Sequence, residues 1–550
     1  MSSKFLLANC HPCPSENPIF SLSRQDIWVA FGLAMMVLIL GAWQMVVGVC
    51  GVYHDDAIYV ITGKALAQGY GYRLINLPGS PFQTKYPILY PALLSIIWKI
   101  WPSFPENLLA MQGLSLLAGA GTVAIAYLYL VRFGYASRKV ALVSGLFCAS
   151  SAFFLYFSTI TLSETPYSLI SIVALWAFER KLRLSEGKPG SQIVIGLLLA
   201  LPFLTRVIGL ILVPAGLLTI YLSGRRIRWV SLGAAFIVLP WILWMLVGPK
   251  WAQNQVNTYY TNYVGWWSSF GLLSLTKLFL FNLLYMTRSF ASISLAILDE
   301  MVQHFGILFI VPCIFVLLLT LIGIIRSFKE RQILPYYIIG YLCVTFVWPW
   351  PPQRFIIPIL PFLLSFLFRE IWQMGQKYCF LSYRKWLVTI SLIVLLGGNL
   401  TLVYQAGKTS RAMGYPYPSS LKEPISWSSY EAIFQWIKNN TQPDDILASG
   451  LDSMVYLYTG RRAFRPFAMN PMGLFYFQDT PPLTMDNFIN VLRDYQPKYL
   501  IETPMPIFSE EKPFSKLLSE FITKYPGRLK PSYVGKDKRF IIYEFQPIKY

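Results

Sequence analysis

The chain has 550 residues, 55% of them hydrophobic and 13% charged, with a net charge of +20 and a mean hydropathy of +0.50. Soluble proteins carry roughly 25% charged residues, so an ordinary soluble globule is excluded for most of the length. The positive excess does not point to nucleic acid, because it is concentrated in short loops between long apolar runs, where membrane proteins place lysine and arginine.

In chain order, residues 1–26 form a Pro-rich tail with Cys10-His11-Pro12-Cys13, a lone CxxC spacing without a second pair. It reads as an unstructured cytoplasmic tail or, less simply, as a zinc or redox pair. Arg24 and Asp26 lead straight into the first apolar run without a signal-peptide pattern. A helix needs about 20 apolar residues to cross a bilayer. Runs near that length predict about eleven spans, at 27–49, 108–131, 140–157, 161–179, 191–204, 207–222, 229–248, 304–325, 333–348, 355–373 and 387–405. Two long polar loops interrupt them, 53–106 and 249–303.

Placing the N-terminus in the cytoplasm puts the strongly basic loops inside, among them Arg132/Arg138/Lys139, Arg225/Arg226/Arg228 and Arg326/Lys329/Arg331. Both long loops and the C-terminus then lie outside. Residues 27–405 are thus read as a membrane body. Residues 406–428 read as a Pro/Ser/Tyr-rich linker, and 429–550 as an extracytoplasmic α/β domain. In that domain helices are predicted at 430–440, 485–494 and 512–523, and strands at 445–449, 499–501 and 539–545. None of the seven cysteines falls there, so it has no disulfide framework. No internal repeat is seen, which weighs against a transporter.

The outer face carries the polar groups that need a reason. Asp55 and Asp56 follow the first span, and Ile58–Gln68 reads as a helix lying against the bilayer. Adjacent carboxylates there are either interface markers or, with a pKa raised by partly apolar surroundings, candidates for general-base work. Lys85, in Lys85-Tyr-Pro-Ile-Leu-Tyr-Pro91, is an outside lysine that either snorkels to headgroups or meets a phosphate. Arg206 and Arg354 stand in two further outside turns, and guanidinium forks match phosphate oxygens. Glu164 opens another span, where it either pairs with an arginine or orients a substrate. A divalent ion on Asp55, Asp56 or Glu164 stays open, whereas His54 and His304 are too few for a metal site by themselves. The aromatic run Tyr259-Tyr260…Tyr263…Trp266-Trp267 reads as an interfacial belt or as a stacking surface for sugar or acyl chain.

The outer Asp55-Asp56 with Tyr59 three residues on, Gly69-Tyr-Gly-Tyr72, the Lys85 element ending at Tyr90-Pro91, Thr205-Arg206…Gly209 and Arg354-Phe355…Pro358…Pro361 together resemble the GT-C membrane glycosyltransferases. The likeness is to the bacterial glycosyltransferase family 39 group, related to protein O-mannosyltransferases and lipid A aminoarabinose transferases. It extends over the whole chain, since Tyr458-Thr-Gly460-Arg461 is similar to elements of outer domains attached to bacterial members.

The resemblance implies an all-α polytopic bundle with a C-terminal α/β domain in a bacterial plasma or inner membrane. The implied reaction moves a sugar from a polyprenyl-phosphate donor to a lipid, glycan or protein acceptor. Asp55 then matches the base, with Asp56 replacing a Glu common in relatives, which leaves open which acid acts. Lys85 matches the cation on the carrier phosphate, with Arg206 and Arg354 as further phosphate contacts. Glu164, Tyr59 and Tyr90 are expected to orient substrate. No cofactor is implied beyond an undecided divalent metal. The rivals are a polysaccharide polymerase or ligase, with its Arg and His in a late outer loop, and a transporter or flippase, with polar residues deep in its spans.

Overall fold

A computed structural model describes residues 21–184, 188–248, 260, 271–298, 310–378, 382–416, 425–467, 484–504, 511–536 and 538–547. Among them, six helices are long and apolar enough to cross a membrane, or seven if one bent pair counts as a single span. Four shorter apolar helices of 10–17 residues accompany them. Most predicted spans coincide with a helix or a helix pair, but several are too short or too polar to qualify alone. The tail with Cys10 and Cys13, most of the aromatic run (Tyr259, Tyr263, Trp266, Trp267) and His304 lie outside the described residues.

The first helix, Arg24–Gln44, starts at a capping box in which Ser23 Oγ accepts from Asp26 N and Asp26 Oδ2 accepts from Ser23 N at 2.7 Å. Arg138 Nε donates to the same carboxylate at 2.8 Å, so the foot of the first helix is tied to the start of Arg138–Ala149. Farther along, Gln332 Nε2 donates to Phe133 O. A cavity of about 370 Å³ opens among Tyr135, Arg326, Glu330 and Arg369. The residues of several predicted cytoplasmic loops therefore meet at one end of the bundle.

The predicted span 140–157 is two helices, Arg138–Ala149 and Ala152–Ser158, bent by 66°. The cause is local. Ser151 caps the second helix by accepting from Phe154 N, and its hydroxyl donates to Ile293 O at 2.7 Å. Elsewhere Pro189–Ala200 and Arg228–Val247 pack backbone against backbone. A side-chain carbon at Gly196 would run into Val230 O, and one at Gly233 into Ile193 O.

Both loops read as polar hold helices. The first contains Asp55–Ala67 and Leu89–Ile100. The second contains Leu272–Ser294, whose Asn282 spends its amide on Phe346 O (3.0 Å) and Trp348 O (2.9 Å). This polar side chain thus ties the helix to the end of Ile333–Phe346. Ser382–Met413 is one continuous helix, so the first residues of the 406–428 stretch are helical.

The C-terminal segment forms one mixed five-stranded sheet in the order β2-β1-β3-β5-β4. Its strands are β1 (Leu447–Ser449), β2 (Ala463–Phe464), β3 (Tyr499–Glu502), β4 (Leu529–Val534) and β5 (Ile541–Phe545). The strand β1 runs parallel to β2 and β3, and β5 is antiparallel to β3 and β4. The predicted helices are present as Trp427–Asn440, Met485–Tyr495 and Glu511–Lys524. The strands β2 and β4 and the helix Asp452–Thr459 were not foreseen, since they are short or carry exposed polar residues.

Candidate active site

The turn after the first helix decides which way each of the paired carboxylates points. Asp56 accepts from Gly51 N (2.7 Å) and Tyr53 N (3.1 Å), and it is buried. It therefore closes the 51–56 turn on itself. Asp55, the first residue of Asp55–Ala67, points the opposite way. Tyr86 donates its hydroxyl to Asp55 Oδ1 at 2.5 Å, and Arg354 Nη1 lies 2.7 Å from Oδ2. The positive end of the helix dipole favours both charges at this N-terminus.

Arg354 is the hub. Its Nη1 holds Asp55, while its Nε donates to Oε1 of Glu164, the fully buried first residue of Glu164–Leu184. Arg206 Nη1 meets the same oxygen at 2.6 Å. Arg206 also donates to Ser163 Oγ at 3.1 Å, and that hydroxyl lies 2.9 Å from Tyr59 OH. Lys85 is buried beside this group with its Nζ 5.2 Å from the Tyr86 ring centre. Asp55, Glu164, Arg206 and Arg354 belong to four separate segments that the charge rule placed on one face, and they touch.

Tyr90 stands behind that layer. It is fully buried, its hydroxyl lies 2.9 Å from Ser115 Oγ, and its ring backs Tyr59 at 5.2 Å. It supports Tyr59 from below instead of facing the carboxylates. The residues that sequence reasoning passed over are Tyr86, Ser163 and the C-terminal pair Asp452 and Arg465. Tyr86 could have been found, since it is the middle residue of Lys85-Tyr-Pro87; the others carry no local signal.

The electrostatics separate the two acids. Burial raises the Asp55 carboxyl, but Arg354 and Lys85 pull harder and hold it down at about 2. Burial pushes Asp56 up to about 6 against the backbone N–H groups it accepts from. Burial also lowers Lys85 to about 8, opposed by Asp55. His54 is lowered by burial too, with Asp452 opposing.

The acids do not pool into a metal site. Asp55 faces Arg354 and Tyr86, Asp56 faces its own turn, and Glu164 faces two guanidiniums. Among the described residues no three His, Cys, Asp or Glu side chains converge on a common point. The divalent ion left open on Asp55, Asp56 or Glu164 would have to share most of these oxygens with the cations and amides that already hold them.

Asp56→Asn tests the division of labour. An amide in that position points an N–H at the Gly51 or Tyr53 N–H, and an unmet buried donor costs about 1–3 kcal/mol. The expected result is a lower thermal midpoint, measured on purified protein. A thermal midpoint left unchanged contradicts the structural part given to Asp56.

No family model matches the chain, and no curated protein matches it in sequence. Solved structures do match in shape. ArnT from Cupriavidus metallidurans bound to undecaprenyl phosphate superposes with a TM-score of 0.54 at 12% identity, covering 95% of this chain and 98% of that one. The same protein in its apo state gives 0.55 at 13% identity, with the same coverage. The Archaeoglobus fulgidus oligosaccharyltransferase tethered to an acceptor peptide gives 0.54 at 14% identity, covering 96% of this chain and 74% of that one. These likenesses extend over nearly the entire chain, which has the GT-C fold that its motifs resemble.

Proposed function

We propose that this chain is a membrane glycosyltransferase that takes a sugar from a polyprenyl-phosphate donor and places it on an acceptor hydroxyl or amine at the non-cytoplasmic face. The observation that carries this reading is the Arg354 bridge. One guanidinium joins a surface-accessible carboxylate, Asp55, to a buried anchor, Glu164, with Lys85 beside them. A base set against a group of cations is what displacement of a lipid phosphate requires. The acceptor oxygen or nitrogen bonds to the anomeric carbon, the bond from that carbon to phosphate oxygen breaks, and the acceptor proton passes to Asp55. Negative charge that grows on the departing phosphate is met by Lys85, Arg354 and Arg206 in a water-poor setting. Attack from the face opposite the phosphate inverts the anomeric centre.

The neighbour with undecaprenyl phosphate supports the choice of donor, and the shared fold supports the reaction class. In this reading the N-terminus is cytoplasmic and the α/β segment lies outside. The prenyl chain then stays in the bilayer while its phosphate reaches the 53–106 segment.

The resting site also orders the events. Asp55 held near 2 is a poor base, because Arg354 and Lys85 stabilise its charge. A bound phosphate draws those cations to itself, and Asp55 becomes more basic once the donor is in place.

Lys85 supplies the test. Its pKa near 8 means the cation is present below that pH and is lost as pH rises through it. Affinity of the purified protein for undecaprenyl phosphate should therefore fall above pH 8, and Lys85→Met should abolish that limb. Affinity left unchanged by Lys85→Met at pH 7 rules out Lys85 as the phosphate contact.

A further inference from the structure

The helix Asp452–Thr459 of the C-terminal segment grips the turn that presents the two carboxylates. Tyr458 OH donates to Gly48 O at 2.7 Å and accepts from Cys50 N at 3.0 Å. Met454 lies against Gly51, whose φ of +100° suits glycine, and a side-chain carbon at Gly51 would stand 2.8 Å from Met454 Cβ. Asp452 is fully buried; its Oδ1 lies 3.2 Å from His54 Nε2, and its Oδ2 accepts from Asn76 Nδ2 at 3.2 Å. Behind it sits buried Arg465, 4.0 Å from Oδ1 and donating to Gly450 O at 3.1 Å. The edge strand joins in, since Ala463 N donates to Asn76 O at 2.9 Å.

His54 explains why the grip matters. Its φ is +64°, a conformation that a non-glycine residue adopts only when its surroundings impose it. It is also the residue directly before Asp55. Relaxing His54 rotates the peptide that sets the direction of the Asp55 side chain and breaks its alignment with Tyr86 and Arg354. Among the partners of His54 are Asp452 and the Tyr260 ring, 5.5 Å away between centres.

We infer that the C-terminal segment is part of the catalytic apparatus, with Asp452 and Tyr458 as positioning residues that hold the His54–Asp55 turn in its productive, strained form. This rests on the transferase reading above and deepens it. The segment is therefore not solely a module for choosing the acceptor.

The experiment uses full-length protein and polyprenyl-phosphate sugars extracted from the source membranes. It compares Asp452→Asn and Tyr458→Phe with Asp55→Asn. Two rates are read, transfer to acceptor and acceptor-free release of sugar to water, each with the KM for the lipid donor. The inference expects both rates to fall on the order of tenfold to a hundredfold in both positioning variants, because small misplacements of reacting groups cost that much. The donor KM should stay put, and hydrogen exchange over residues 48–58 should quicken. Unchanged rates in folded variants overturn the inference, as does a change confined to the KM for acceptor. If Asp452→Asn does not fold, Tyr458→Phe, which removes one hydroxyl, decides alone. Native protein that transfers no sugar from these donors sinks the transferase reading instead, so the two failures are told apart.

Discussion

Asp55→Asn is expected to slow sugar transfer about 10²–10⁴-fold while binding of the lipid phosphate survives or tightens. A positioned general base contributes about that factor. Asparagine has the same shape and can still accept from Tyr86, so the pocket is retained and only the proton acceptor goes. The effect on binding follows from Arg354. In the native protein Asp55 competes with an incoming phosphate for that guanidinium, with Nη1 already 2.7 Å from Oδ2. Removing the carboxylate charge releases the cation for phosphate, whose oxygens make charge-assisted bonds of the same kind. Transfer kinetics and undecaprenyl phosphate affinity on the same purified variant check both halves. Wild-type turnover removes Asp55 from the chemistry. Lost affinity with modest rate loss makes it a donor contact instead.

Sequence alone reached the site unevenly, for physical reasons. Asp55, Lys85, Glu164, Arg206 and Arg354 were legible because each breaks a rule: it is an acid beside an apolar span, or a cation on the face where lysine and arginine are sparse. Their convergence was not legible, because it depends on how four helix ends pack. Nor was the split between Asp55 and Asp56. It is set by backbone N–H groups at Gly51 and Tyr53, which have no sequence signature.

The fold follows the same pattern. Long apolar helices such as Arg24–Gln44 and Leu108–Arg132 declare themselves by length. Leu272–Ser294 does not, because Lys277, Asn282 and Arg288 lower its hydropathy, although Asn282 binds a neighbouring helix end. The grip of Asp452 and Tyr458 on residues 48–54 joins positions some 400 residues apart. No periodicity can report such a contact.

Glu164→Gln is expected to destabilise the protein by about 3–5 kcal/mol, the cost of removing one partner from a buried ion pair. Glu164 is fully buried, and its single oxygen Oε1 meets both Arg206 and Arg354. With the charge gone, Arg354 keeps Asp55, but Arg206 keeps neutral partners, the Ser163 hydroxyl and the Phe355 ring. Two guanidiniums then face each other with half their compensation, and the repulsion spreads into the Asp55 side of the network. Replacing the Glu164–Arg206 pair together by Gln and Met should therefore cost less than the single change, because no uncompensated charge is left at Arg206. Thermal unfolding in detergent of the two singles and the double gives the coupling directly. Additive losses show that the pair is not coupled and that Glu164 serves Arg354 alone. A double variant more stable than Glu164→Gln, yet with weakened undecaprenyl phosphate binding, shows that the buried anchor is kept for the phosphate site and not for the stability of the bundle.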